Sequence, residues 1–181
     1  MKKIILIFSA VLVLFSSCKK SFLELSPYDQ IPSNEAITDE SSMQTAVYGL
    51  YAQLRSANLW GRSVPLYADV MSDNAFISTT NSNRYLAEYN FTFISTNANS
   101  SATWASAYTA ILRANNIINS TVAVTPTSSQ LRGEALTVRA LMYFYLVRSF
   151  GDVPLKIKST SSDQDIEQIP KTSKDSVRVQ S

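Results

Sequence analysis

No histidine occurs anywhere in the 181 residues, and there is one cysteine and only four glycines. Each scarcity excludes something. Without histidine there is no Ser-His-Asp triad, no imidazole metal ligand and no side chain that changes charge near neutral pH. One thiol cannot close an internal disulfide, and with no imidazole beside it zinc would have to be held by carboxylates, for which no spacing stands out. Four glycines leave little room for a phosphate loop, and neither G-x-x-x-x-G-K-[ST] nor G-x-G-x-x-G is present. Excess charge is lacking as well. Sixteen basic residues face 14 acidic ones, and without its first 17 residues the chain holds 14 of each, so it carries no electrostatic footprint for DNA or RNA. No cofactor and no metal is expected.

Hydrophobic residues make up 45% of the chain, enough for one domain with a real core. The first of them form a leader. Met1-Lys2-Lys3 precedes an apolar run from Ile4 to Phe15, then Ser16-Ser17-Cys18. That is a positive segment, a short apolar segment and small residues before a cleavage point. A run of about 12 residues is too short for a spanning helix, which needs ~20. The lone cysteine therefore reads as an address. Ser16-Ser17 before Cys18 is similar to a bacterial lipobox, in which the peptidase cuts before a cysteine whose thiol carries lipid. Two or more acyl chains, at ~0.8 kcal/mol per buried CH₂, make such an anchor stable. Two S-x-x-K spacings, Ser16 to Lys19 and Ser17 to Lys20, straddle the same cleavage point and are coincidental.

The organisation expected is residues 1–17 as a lipoprotein signal peptide, 18–40 as the lipidated Cys18 with a tether and extended arm, and 41–181 as a helical domain. Phe22, Leu23 and Leu25 could dock the arm onto the body. The first helix is predicted to start at Ser41, with Ser41 to Gln44 as a capping box and Met43, Val47, Leu50, Tyr51 and Leu54 on one face. Gly49 inside it suggests a close packing contact. A short helix is predicted from about Val64 to Asp73. Residues 74–100, rich in Asn, Ser and Thr with aromatics interleaved, predict a long surface loop with a short strand near Tyr89 to Ile94.

Two strong helices follow. Trp104, Tyr108, Ile111, Leu112, Asn115 and Ile118 share one face of the first. Leu131, Ala135, Val138, Leu141, Met142 and Tyr145 share one face of the second, with Thr127 to Gln130 as its capping box. Phe150-Gly151 followed by Pro154 is a stop signal, with glycine as a left-handed cap. The short link makes the pair an antiparallel hairpin. It resembles a tetratricopeptide unit, although the W-x₂-L-G-x₂-Y signature is absent. A short apolar run, Val153 to Ile157, comes next, and near the end a helix starts with Ser173 or Thr172 as cap.

The two helices also carry a resemblance. Trp104, Tyr108, Ile111, Ala114, Asn115 and Ile118 match a Trp–Tyr–Ile–Ala-Asn-x-Ile helix. Glu134-Ala135, Arg139-Ala140, Tyr143-Phe144, Leu146-Val147-Arg148 and Phe150-Gly151-Asp152-Val153-Pro154-Leu155 match the run that follows it. With the lipobox, Phe22-Leu23-Glu24, Pro27 and "YGLYAQL", the pattern resembles the N-terminal portion of SusD/RagB-family outer-membrane lipoproteins. The resemblance implies a mainly α fold with several tetratricopeptide-like helix hairpins, in a chain several times longer than one hairpin. It implies a lipid-anchored protein on the outer-membrane surface of Bacteroidota-type bacteria. Its role there would be to bind oligosaccharide or another nutrient for polysaccharide utilization and to act as a lid on a SusC-like TonB-dependent transporter. It implies no catalysis and no nucleic-acid partner.

For the ligand, Asp73, Asn74 and Arg84 are candidates to bond hydroxyls, and Tyr85, Tyr89 and Phe93 to stack on sugar rings. Local packing of the three rings is the competing reading. Asp69 and Asp73, four apart, mimic a glycosidase carboxylate pair but are expected to be a solvated helix face. Arg139, Arg148 and Asp152 are expected to tie helix ends to neighbours, and Asn115 and Asn116 to bond backbone. The alternative to a nutrient-binding protein is a helical-repeat scaffold holding a protein partner without a small ligand.

Overall fold

The computed structural model describes residues 36–78, 80, 83–159 and 168–180. The expected leader, Cys18 and the expected arm through residue 35 lie outside the described residues, as do residues 160–167. Among the described residues, six helices and two minimal strands follow in the order α1 (Glu40–Leu54), α2 (Ser63–Val70), α3 (Leu86–Tyr89), α4 (Ala98–Ile118), α5 (Pro126–Phe150), β1 (Val153–Pro154), β2 (Lys171–Thr172) and α6 (Lys174–Gln180). The fold is mainly α, as expected, and none of the described helices is long and apolar enough to cross a membrane.

The core is the hairpin α4–α5 with α1 laid across both. Met43, Val47 and Leu50 of α1 are fully buried against Ala107, Ala110, Ile111, Ala114 and Ile117 of α4 and Leu131, Ala135, Met142 and Leu146 of α5. Alanines on α4 let α1 and α5 approach closely, and each large apolar side chain removed from water contributes roughly 1.5–3 kcal/mol. The buried face of α4 is rotated from the predicted one. Thr103, Ala107, Ala110 and Ala114 lie inside, while Leu112 is exposed. Polar ties fix α1 further: the Tyr51 hydroxyl donates to Glu134 Oε2 at 2.9 Å, and Arg113 donates to the Gly49 carbonyl at 2.9 Å. A Cβ at Gly49 would meet nothing within 4 Å, so no packing contact explains that glycine.

Both capping boxes form, each nearer the N-terminus than predicted. Asp39 caps α1: the Ser42 N–H donates to its carboxylate at 2.7 Å, and the Asp39 N–H donates to Ser42 Oγ at 3.0 Å. Thr125 and Ser128 make the same reciprocal pair for α5, with Pro126 at the first helical position, where its missing N–H costs nothing. The upstream box wins in each case because Asp39 and Thr125 are good caps in extended backbone and add two residues to their helix.

After α5 the chain reverses at Gly151, whose N–H closes on the Val147 carbonyl at 3.0 Å. Its φ is positive at 77°, as a glycine cap requires, but its ψ of −129° is extended rather than left-handed helical. The following apolar run is a strap across the hairpin. Val153 and Pro154 pair antiparallel with Thr172 and Lys171, and four side chains hold the backbone beyond. The Tyr108 hydroxyl donates to the Pro154 carbonyl at 2.7 Å. Tyr143 donates to the Lys156 carbonyl at 2.8 Å and accepts from its N–H at 2.6 Å. The Asn115 amide donates to the Lys156 and Lys158 carbonyls, and Asn119 donates to that of Ile157. Burial pushes the Tyr143 phenol up to about 12 and raises that of Tyr108 as well. Ser173 caps α6, as expected, accepting from the Ser176 N–H at 3.3 Å.

The expected ties are thus mostly present. Arg139 is buried and donates to Asn115 Oδ1 at 3.0 Å, and Asp152 accepts from the Lys174 N–H at 2.9 Å. Asn116 differs, since its buried Oδ1 has no partner among the described residues. Arg148 differs too, and its position belongs to the site below.

Candidate functional site

A groove of about 600 Å³ opens beside the core, between α2, the start of α4, the outer side of α5 and Phe93 of the long loop. Its near wall begins with Trp60. The turn from α1 to α2 is tight: the Trp60 N–H donates to the Leu54 carbonyl and the Gly61 N–H to that of Ser56, both at 3.1 Å. A Cβ at Gly61 would lie 2.2 Å from the Arg55 carbonyl, so only glycine permits this approach. The turn sets the Trp60 ring 5.7 Å from that of Tyr145 on α5. Ser63 opens α2 and donates to the Ala57 carbonyl at 2.9 Å.

On the opposite side, α5 shows a second apolar stripe. Leu141, Phe144, Tyr145 and Arg148 recur at spacings of three and four, the period of one helix face. Leu141 and Phe144 are exposed, and Tyr145 is half-buried. Burial raises the Tyr145 pKa, partly offset by a hydrogen bond with Ser149 and by the nearby Arg148 charge. Arg148 therefore faces the groove and does not tie the helix end as expected.

The loop contributes the remaining wall, and not as a strand. Residues Leu86–Tyr89 form one helical turn, and residues 90–94 after it are turn and irregular backbone, not the short strand predicted near Tyr89 to Ile94. Tyr85 enters that turn with φ 61°, and Phe91 leaves it with φ 55°. Two side-chain amides anchor the turn: Asn97 and Asn99 donate to Glu88 Oε1 at 3.2 and 2.8 Å. Glu88 is 2% exposed and forms part of the groove wall. The turn presents the carboxyl to both amides at once, which fixes its place. Beneath, the Tyr67 hydroxyl shares a hydrogen with Thr103 Oγ1 at 3.3 Å, and burial raises its pKa.

Of the six residues predicted to bind ligand, Phe93 lines the groove. Tyr85 is 5% exposed and meets the ring of Tyr67 edge-on at 5.9 Å, the local packing that was the competing reading for it. Tyr89 is half-buried at the end of α3. Asp73, Asn74 and Arg84 are exposed on the segment between α2 and α3. Asp69 and Asp73 are both exposed, as a solvated pair should be. Trp60, Glu88 and Phe144 were not picked out, while Tyr145, like Leu141, was expected on the core face of α5 and Arg148 in a helix-end tie; the structure puts all three on the groove. The α5 stripe was available as a signal for Phe144, Tyr145 and Arg148, whereas nothing local marks Trp60 or Glu88. Among the described residues no group of three or more acidic or thiol side chains could hold a metal ion.

The arrangement suits a ligand with apolar faces and polar edges. Rings stand on two sides, with a carboxyl in the wall and a guanidinium at the rim. Comparison with known proteins points the same way. A family model described as starch-binding and associating with the outer membrane, SusD-like, matches residues 21–178. "SusD-like protein P2" of Formosa agariphila is 30% identical over 181 residues, covering 98% of this chain and 35% of that protein. A "SusD-like protein" of Bacteroides ovatus is 26% identical over 161 residues, covering 86% and 29%. The crystal structure of a SusD homologue from Bacteroides thetaiotaomicron superposes with a TM-score of 0.67 at 21% identity, over 80% of this chain and 29% of that one. The chain thus spans about a third of the length of the curated relatives it matches.

Proposed function

The chain belongs to the SusD-like family, and on that premise we propose that it is the N-terminal part of an outer-membrane surface lipoprotein that binds oligosaccharide or a related nutrient. Bound ligand passes to a SusC-like TonB-dependent transporter, for which the protein acts as a lid. Cys18 carries the lipid, and residues 19–40 are the tether. The protein binds and releases its ligand without chemistry on it.

The observation that carries this reading is the ring-walled groove. Trp60, Tyr145, Phe144 and Phe93 line one cavity. Sugar rings present C–H faces that pack on aromatic rings, and their hydroxyls bond to carboxyl, amide and guanidinium groups. Asp73, Asn74 and Arg84 are proposed to bond ligand hydroxyls and Tyr89 to stack on a ring, while Tyr85 serves the local packing against Tyr67. Calorimetry against a panel of neutral and acidic oligosaccharides tests this directly. Binding should appear, and Trp60→Ala together with Phe93→Ala should abolish it. The reading fails if no oligosaccharide or peptide binds and no TonB-dependent transporter co-purifies.

A second reading, a helical-repeat scaffold without small ligand, has one observation in its favour. The outer side of α5 exposes Leu136, Leu141 and Phe144 to 41%, 39% and 56%. Crosslinking from α5 that captures a protein other than a transporter, with no glycan binding, would favour it.

A further inference from the structure

We infer that the groove selects acidic oligosaccharides, those carrying a carboxylate or a sulfate ester, over neutral ones of the same length. The inference rests on the glycan-binding reading and concerns the charge of the ligand.

Its basis is which charges a ligand in the groove can reach. Two ionisable side chains other than tyrosine line it, Glu88 and Arg148. Glu88 is sunk in the wall at 2% exposure, and its Oε1 accepts from both Asn97 and Asn99. Arg148 is exposed at the rim. A second cleft of about 580 Å³ adjoins the first, and the two share Trp60 and Leu141. The charged side chain of that cleft is again an arginine, Arg55, also exposed. Neither guanidinium has an ion pair among the described residues, where the ion pair found is Arg178 with Asp175, 3.7 Å apart on α6. The exposed ionisable side chain lining each of the two clefts is therefore a cation.

The chemistry follows from the guanidinium. Its planar fork matches carboxylate and sulfate oxygens in pairs, and charge-assisted bonds of that kind are about twice as strong as neutral ones. A neutral sugar offers Arg148 and Arg55 only hydroxyl oxygens. A chain with one ring on Trp60, which both clefts share, and anionic substituents reaching into each cleft uses both cations. Exposed charge pairs contribute modestly, and the partial enclosure here raises the expected preference to about five- to tenfold.

The test is calorimetry on the full chain with three probes of matched length: a maltooligosaccharide, an oligogalacturonate and a carrageenan oligosaccharide. Both acidic probes, or the one whose spacing fits, should bind about five- to tenfold more tightly than the neutral one at low salt. The preference should shrink in high salt. Arg148→Ala should remove most of it while weakening the neutral probe far less than the acidic ones and leaving the circular-dichroism spectrum unchanged, and Arg148→Lys should restore part of it. The arms separate carboxylate from sulfate. Equal binding of acidic and neutral probes, or a preference that survives Arg148→Ala and Arg55→Ala together, overturns the inference and leaves glycan binding standing. Failure of all three probes to bind overturns it together with the reading on which it rests.

Discussion

The helical hairpin and the loop that precedes it hold themselves together by different means. In α4 and α5 the buried set repeats along the helix: Ala107, Ala110, Ile111 and Ala114 face Leu131, Ala135, Val138 and Met142. Stability there is spread over many apolar contacts, each replaceable in kind. Between Met71 and Asn97 there is no repeat. Phe76, Phe91 and Ile94 are 79%, 62% and 68% exposed, and the segment is held by particular bonds, chiefly those to Glu88. A site that must fit a ligand belongs on such a segment, since its shape can change without disturbing the core.

The largest effect expected is in the hairpin. Leu146→Ala removes a fully buried side chain where α5 meets α4 and should cost about 2–5 kcal/mol in urea unfolding. A much smaller loss would mean that the two regions are not as different as their packing indicates. Next is Glu88→Ala, which leaves the Asn97 and Asn99 amides without their acceptor and should cost about 1–3 kcal/mol. Hydrogen exchange should place that loss in residues 86–97. If protection falls equally in α4 and α5, loop and hairpin form one cooperative unit and the contrast fails.

Tyr143→Phe, which deletes both bonds to Lys156, should cost about 1 kcal/mol near neutral pH. It also carries a pH signature. Burial raises the folded phenol from 10.0 to about 12, so the folded state favours the protonated form. That contribution is complete below pH 10 and is lost as pH rises from 10 through about 12. Alkaline unfolding curves should show this loss in the parent and less of it in Tyr143→Phe. The smallest effect is expected at Phe91. Its φ of 55° suits glycine, and its side chain is mostly exposed. Phe91→Gly should therefore shift global stability by less than about 1 kcal/mol, as thermal unfolding would show.

The same contrast decided what could be read from the sequence. Residues at spacings of three and four placed both long helices, and Phe150-Gly151 with Pro154 ended the second correctly. Those signals are local and the structure obeys them. The face of α4 was misjudged because its alanines, which are buried, count for little beside Leu112, which is not. The capping boxes were misplaced because Asp39 and Thr125 compete with equally plausible hydroxyls two residues on. The long loop was read correctly, but the short strand expected near Tyr89 to Ile94 is absent; its aromatics favour one. Nothing in the sequence announces that Glu88 is fixed by amides nine and eleven residues away. The groove was hidden for a similar reason: Trp60, Phe93 and Phe144 meet only through the tertiary fold. Phe93 was chosen for its ring, and its place in the wall is a long-range fact.

The strap after α5 has a consequence for how such a protein can vary. Tyr108, Asn115, Asn119 and Tyr143 all bond to backbone atoms of residues 154–158, not to side chains. Every amino acid supplies a carbonyl. The strap can therefore exchange side chains at Lys156, Ile157 and Lys158 without loosening, proline at 156 excepted, while the four hairpin residues that grip it cannot. A saturation library selected for folding should show a tolerant stretch lying on an intolerant one, with the intolerance located 13 to 46 residues away in the sequence.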